Sequence, residues 1–210
     1  MAMRIFTALS IVICFTAAAQ DRPRKLCSFD GFSADPKLAE VTQATVGYFG
    51  CASAKDCLPT NLAAGDAVTP YHTDGDWTCA YIQQSDGAGP GWVKSRDLRE
   101  VAADPAPPLD AWFGSWRNGQ GRIRIEASRP SGKLRLAGDA EWHGVGDVVH
   151  TGNFEGEAVP EGNHLHFVEG GAGSCTVDLT LIGKYLVASD NDGCGGMNVR
   201  FWGVWKRRAR

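Results

Sequence analysis

His164 and His166 stand two residues apart in the run His164-Leu165-His166-Phe167, a spacing that puts both imidazoles on one face of a strand. Two imidazoles so placed bind one metal ion if a third ligand converges, and His150 and Glu169 are the candidates for it. A metal held that way would carry hydrolysis. The same alternation, with Leu165 and Phe167 turned inward, is what a half-buried strand needs, and this plainer reading accounts for the whole run. Asp190-Asn191-Asp192-Gly193 packs oxygen ligands as a calcium loop does. Cys194-Gly195-Gly196-Met197 follows in place of a late glutamate, so a turn tolerant of positive φ is expected instead. Glu155 and Glu157 share a strand face, but nothing in the pattern sets them across a cleft as paired glycosidase carboxylates require. No Gly-x-Ser-x-Gly elbow occurs. The sequence assigns no catalytic residue, metal or cofactor, and a non-enzyme is expected.

Cysteine is more telling than any acid or base. The chain has 7 cysteines, and Cys14 falls in a stretch that reads as a leader. Arg4 opens that stretch, Ile5 to Thr16 is apolar, and Ala17-Ala18-Ala19 offers small residues for cleavage, the pattern of a secretory signal peptide over residues 1–19. The apolar run is shorter than the roughly 20 residues a membrane span needs, and no later segment is apolar enough, so no membrane span is expected. Cys27, Cys51, Cys57, Cys79, Cys175 and Cys194 remain. An even number in an exported chain points to disulfides and a periplasmic or secreted location. If crosslinks stay within structural units, Cys175 pairs with Cys194. The other four allow three pairings, which spacing does not separate.

The 7 tryptophans form the binding clue. Most must fill cores, as bulky side chains do in small barrels. Tyr71, Trp77 and Tyr81 fall on neighbouring strands of the first half, where exposed aromatics line a shallow groove for peptide or glycan. Charge narrows the partners. The formal net charge is −3, or −4 without Arg4, which argues against nucleic acid. Lys206-Arg207-Arg208-Ala209-Arg210 is the one strong charge run and reads as a solvated tail.

The elements that hold these residues are strands. The 26 glycines and abundant β-branched and aromatic residues suit short strands with tight turns. Asp74-Gly75 marks a hairpin, and Thr78 to Gln83 alternates with Cys79 and Tyr81 on one face. Pro105, Pro107 and Pro108 deny backbone donors over a short stretch and mark a semi-rigid linker at 102–110, expected to carry few contacts. Residues 20–101 and 111–210 then form two units, each small enough for crosslinks to matter. In the second, strands are expected at 122–126, 133–136, 140–143, 152–159, 164–168, 175–181, 184–189 and 198–206. Such a set of about eight antiparallel strands closes into a barrel. The fold class is all-β, two small barrels in succession.

Ala64-Gly65-Asp66-Ala67-Val68, Gly75-Asp76-Trp77, and Gly91-Trp92-Val93 with Leu98 resemble the recurrent strand, hairpin and closing signatures of bacterial SH3-like domains, over about residues 41–101. Cys51 to Cys57 replaces a stretch that often lines the ligand groove in that family. Gly114-Ser115-Trp116 with a late Arg207 or Arg208 resembles the opening and closing of calycin-type barrels, the class that includes lipocalins. The resemblance implies an exported, non-catalytic protein of a bacterial cell envelope, its SH3-like unit binding a cell-wall peptide, peptidoglycan or an envelope protein. A rigid crosslinked barrel equally suits an inhibitor of an envelope-attacking hydrolase such as lysozyme, with a loop entering the enzyme's cleft. A metal-dependent hydrolase built on His164 and His166 is the remaining alternative.

Overall fold

A computed structural model describes residues 23, 25–51, 57–84, 87–129, 132–170 and 174–208. The leader expected at 1–19 lies outside them. The described chain is all-β, with short 3-10 turns at Ser95–Asp97 and Leu109–Trp112. The first half holds β1 (Ala39–Val41), β2 (Thr45–Phe49), β3 (Leu58–Leu62), β4 (Ala67–Asp74), β5 (Trp77–Gln84), β6 (Gly87–Lys94) and β7 (Leu98–Glu100). They form one seven-stranded antiparallel sheet in the order β3-β2-β6-β5-β4-β1-β7. The second half holds β8 (Gly114–Arg117), β9 (Gly121–Ala127), β10 (Leu134–His143), β11 (Val149–Ala158), β12 (His164–Val168), β13 (Thr176–Ile182), β14 (Tyr185–Asp190) and β15 (Gly203–Arg207). These follow the order β11-β10-β9-β8-β15-β14-β13-β12, an eight-stranded, nearly closed antiparallel barrel.

The turns form where the residues dictate. Gly75 takes φ of 59° between β4 and β5, so that Asp74 pairs with Trp77 as the Asp-Gly signal requires. Asp97, buried at the foot of the first sheet, accepts from Thr45 Oγ1 at 2.6 Å and Gln43 Nε2 at 2.7 Å. Burial pushes its carboxyl up, and those two hydrogen bonds, with the nearby charges of Arg96 and Lys94, outweigh the burial and hold it below its ordinary value.

Two expected boundaries are corrected. Residues 134–143 run as a single strand instead of two pieces separated at Gly138. Gly138 is a packing glycine: the Phe154 ring of the paired strand lies where a Cβ would stand, so the strand passes through it unbroken. The closing strand is also shorter than the sequence suggested, spanning Gly203–Arg207, because residues 191–202 form a loop.

All six cysteines are bonded. Cys175–Cys194 is present, and the remaining four resolve as Cys27–Cys79 and Cys51–Cys57. Three disulfides fit an oxidising, extracytoplasmic setting. No helix among the described residues is long and apolar enough to cross a membrane.

The two halves do not behave as beads on a linker. Leu38 and Ala67 from the first pack with Ile182, Tyr185, Val187 and Val204 from the outer wall of the barrel in one buried cluster. Gln83 Oε1 accepts the Val204 amide at 3.1 Å, and Tyr185 donates to Glu40 at 2.7 Å. β14 is consequently buried on both faces at Tyr185–Ala188, which is why its sequence is continuously apolar instead of alternating.

Candidate functional site

The three aromatics expected to line a groove share a region, but not a solvent-exposed one. Trp77 and Tyr81 are buried and Tyr71 is largely so. This corrects the expectation of an open aromatic groove at Tyr71, Trp77 and Tyr81, and the cause is a segment the strand pattern did not reveal. Residues 25–36 run as a strap across this face. Phe29 packs on both Tyr71 and Tyr81 with ring centroids 5.0 Å apart, and Phe32 packs on Tyr81 at 5.3 Å. Trp202 of the barrel side closes the cluster, 5.6 Å from Phe29. The strap is fastened by Cys27–Cys79 and by Trp92 Nε1, which donates to the Lys25 carbonyl at 2.7 Å.

The face under the strap keeps marks of polarity. The Tyr71 hydroxyl, Trp77 Nε1 and Thr69 Oγ1 are buried without hydrogen-bond partners among the described residues. Burial pushes the phenols of Tyr71 and Tyr81 up, so both stay neutral across the physiological range.

The other candidates dissolve into local structure. His166 Nδ1 lies 2.6 Å from Asp178 Oδ1 and His164 Nδ1 lies 3.1 Å from Thr180 Oγ1, each a cross-strand partner on the outer wall. Leu165 and Phe167 point into the core, as the plainer reading requires. Among the described residues no three His, Cys, Asp or Glu side chains are grouped as a metal site, so neither His150 nor Glu169 joins the pair. In the 190–193 turn, Asn191 Oδ1 accepts the amides of Thr176 and Gly193, and Asp190 accepts those of Asp192 and Phe201. Those oxygens hold the loop in shape. Burial pushes the Asp190 carboxyl up, against the hydrogen bonds that favour its charge. Glu155 meets Arg135 at 2.5 Å, and Glu157 accepts from Ser128.

The barrel interior is packed with side chains. Trp112, Trp116 and Trp205 are fully buried together with Phe154, Phe167 and Phe201. Gly-x-Trp and the late arginine meet in space: the Arg207 guanidinium lies 4.5 Å from the Trp116 ring centroid and donates to the Ala111 carbonyl, sealing one end.

The opposite end carries a feature that periodicity did not show. The long β10–β11 hairpin ends in Gly144-Val145-Gly146-Asp147-Val148, closed by the Gly144 amide on the Val148 carbonyl at 2.8 Å. Val145 is 98% exposed, and Val148 and Val149 are 47% exposed. Beside it stands the 194–198 loop with Met197, 74% exposed. The two loops are tied together. Gly196 N donates to the Thr151 carbonyl at 3.0 Å, Gly152 bridges Gly195, and His150 Nδ1 lies 2.5 Å from the Met197 carbonyl. Trp142 stacks on His150 beneath them at 5.3 Å. Cys175–Cys194 anchors the second loop to the barrel. A convex apolar tip on a crosslinked base can enter a partner's cleft without first being ordered. The only hint in the sequence was three valines, Val145, Val148 and Val149, in and beside a Gly-Asp turn that would ordinarily be polar.

The chain matches no protein-family model, no curated protein and no solved structure.

Proposed function

We propose that this is an exported, non-catalytic binding protein of a bacterial cell envelope that docks on a partner protein through the tip of its barrel, as an inhibitor of an envelope-attacking hydrolase such as lysozyme does. The observation that carries this reading is the apolar pair of loops at Val145 and Met197, exposed on a base braced by backbone bridges and a disulfide. Single exposed apolar residues are ordinary, whereas a contiguous set on a rigid projection marks an interaction site. The SH3-like and calycin-like character of the two units belongs to the same proposal. It is supported by the seven-stranded sheet that spans the SH3-like signatures and by the Arg207–Trp116 stack. The strap covers Tyr71 and Tyr81 on the aromatic face, where a cell-wall peptide or glycan was expected, which favours the barrel tip as the contact in this reading.

Lysozyme digestion of purified sacculi tests the reading. Added protein should slow clearance in proportion to its concentration, and Val145→Asp/Met197→Asp should not, with its melting temperature unchanged. Undiminished clearance together with retention of the protein on sacculi would return the contact to the glycan and overturn the inhibitor role.

A further inference from the structure

The outer wall of the barrel beside its buried side carries an ordered set of cations. Across β15, β8 and β9, Lys206 pairs with Arg117 and Arg117 with Arg122. One row along, the Arg208 amide donates to the Ser115 carbonyl at 2.8 Å, and Ser115 pairs with Arg124. Lys206, Arg117, Arg122, Arg208 and Arg124 thus occupy all the outward positions of two adjacent rows but one, which is Ser115. Neighbouring strands lie about 4.8 Å apart and successive outward residues about 7 Å apart, so the five charges share a small patch. Such crowding of like charge is costly unless something offsets it. Arg122 meets Asp139 at 2.7 Å, Lys206 meets Asp66 at 3.5 Å and Arg124 meets Glu126 at 3.9 Å. Arg117 and Arg208 have no ion pair among the described residues. On a chain whose formal charge is −3, this is a local inversion of sign.

The patch adjoins a groove of about 1060 Å³ lined by Phe113, Ser115, Arg124 and Arg208 together with the carboxylates of Asp110 and Glu126. Phe113 is half-buried there and gives the groove an aromatic surface. We infer that this face is a second binding surface, independent of the barrel tip, for a linear anionic polysaccharide. The cations of the two rows meet its carboxylate or sulfate groups, and the groove beside Phe113 receives a sugar ring. A flat bilayer cannot enter a groove on a curved wall, and no exposed large apolar side chain stands in these rows to insert into lipid.

Retention on immobilised dextran sulfate and on polygalacturonate, against neutral dextran, tests this. The full chain should bind both charged polymers and not the neutral one, with affinity falling steeply as salt rises. Arg117→Ser/Arg208→Ser should bind at least about fivefold more weakly, because the two unpaired cations are lost. Arg117→Lys/Arg208→Lys should keep most of the binding. Lys37→Ser/Arg96→Ser makes the same change in net charge elsewhere and should leave binding unaltered. Thermal unfolding of each variant separates loss of the surface from loss of the fold. Equal weakening by both serine pairs would reduce the effect to net charge and overturn the proposal. So would binding to phosphatidylglycerol vesicles without binding to either polymer.

Discussion

The Tyr185 hydroxyl, on the barrel, donates to the Glu40 carboxylate, on the first sheet, across 2.7 Å. Lys184 reaches the same carboxylate at 2.8 Å and Arg99 reaches it at 2.9 Å. The Glu40 side chain is only 12% exposed, so one carboxylate at the seam is shared by donors from both halves. Hydrogen bonds from Lys184, Tyr185 and Arg99 hold its pKa down from 4.5 to about 2. A depressed carboxylate stabilises the fold in full above its unfolded value and loses that contribution as the pH falls through the folded value. The contribution of Glu40 should therefore be complete above pH 4.5 and should decline between pH 4.5 and about 2.

Glu40→Gln checks this directly. At neutral pH it should cost about 1–2 kcal/mol, limited by the exposure of Lys184 and Arg99. The difference in melting temperature between the two proteins should shrink as the pH is lowered through that window. A constant difference down to pH 2.5 would mean that the charge of Glu40 contributes nothing.

Two substitutions under the strap should diverge. Tyr71→Phe removes a buried hydroxyl that has no partner among the described residues, so stability should hold or rise by up to about 1 kcal/mol. Trp92→Ala deletes a ring that is 1% exposed and whose Nε1 bonds Lys25, and should cost roughly 3–5 kcal/mol. Chemical denaturation of both variants measures the contrast.

The crosslinks are open to mapping. Denatured, unreduced protein should present no reactive thiol among the six bonded cysteines, and peptide maps should show Cys27–Cys79, Cys51–Cys57 and Cys175–Cys194. Cys175→Ser/Cys194→Ser opens a 19-residue loop and should cost about 3 kcal/mol. It should also raise hydrogen exchange at Gly195–Met197 before it does so at β13 or β14.

Proteolysis near 102–108 offers a test of the seam. The stretch is exposed over most of its length and should be cut. The two fragments should stay together on gel filtration, held by the cluster of Leu38, Tyr185, Val187 and Val204. Heating the nicked protein should give one transition. Separation of the fragments under native conditions would show that the cluster is too weak to join them.

How far the residues announced all this varies along the chain. Alternation placed β9 and β12 closely, because each has one buried face, and the Asp74-Gly75 turn signal placed the β4–β5 hairpin, whose second strand is buried on both faces at 77–82. It could not place the strap: residues 25–36 have no strand or helix period, and they are held by one disulfide, one indole hydrogen bond and two phenyl rings. The aromatic face was legible as a place where Tyr71, Trp77 and Tyr81 gather, but not as a covered one, since what covers it lies about 40 residues or more upstream. The seam was hidden for a similar reason. Tyr185, Val187 and Val204 read as barrel residues, and only the packed molecule shows that their outer side is also buried. The tip at Val145 and the cationic rows depend on loop apposition and strand order, which periodicity does not encode.

β15 lies between β14 and β8, so the barrel strand that comes last in chain order is an interior stave of the wall. Until residues 203–207 exist, β14 and β8 each present an open edge, and Trp116 lacks the Arg207 guanidinium that covers it. Closure of the barrel therefore waits for residues 203–207, and its slow step should be the arrival of that one short segment in a slot kept open by the rest. Such late, non-local closure makes folding slow and leaves unpaired edges exposed meanwhile. A cell that makes this protein has to shield those edges during that interval, and removing residues 203–207 should show first as aggregation during production, before any loss of binding is measurable.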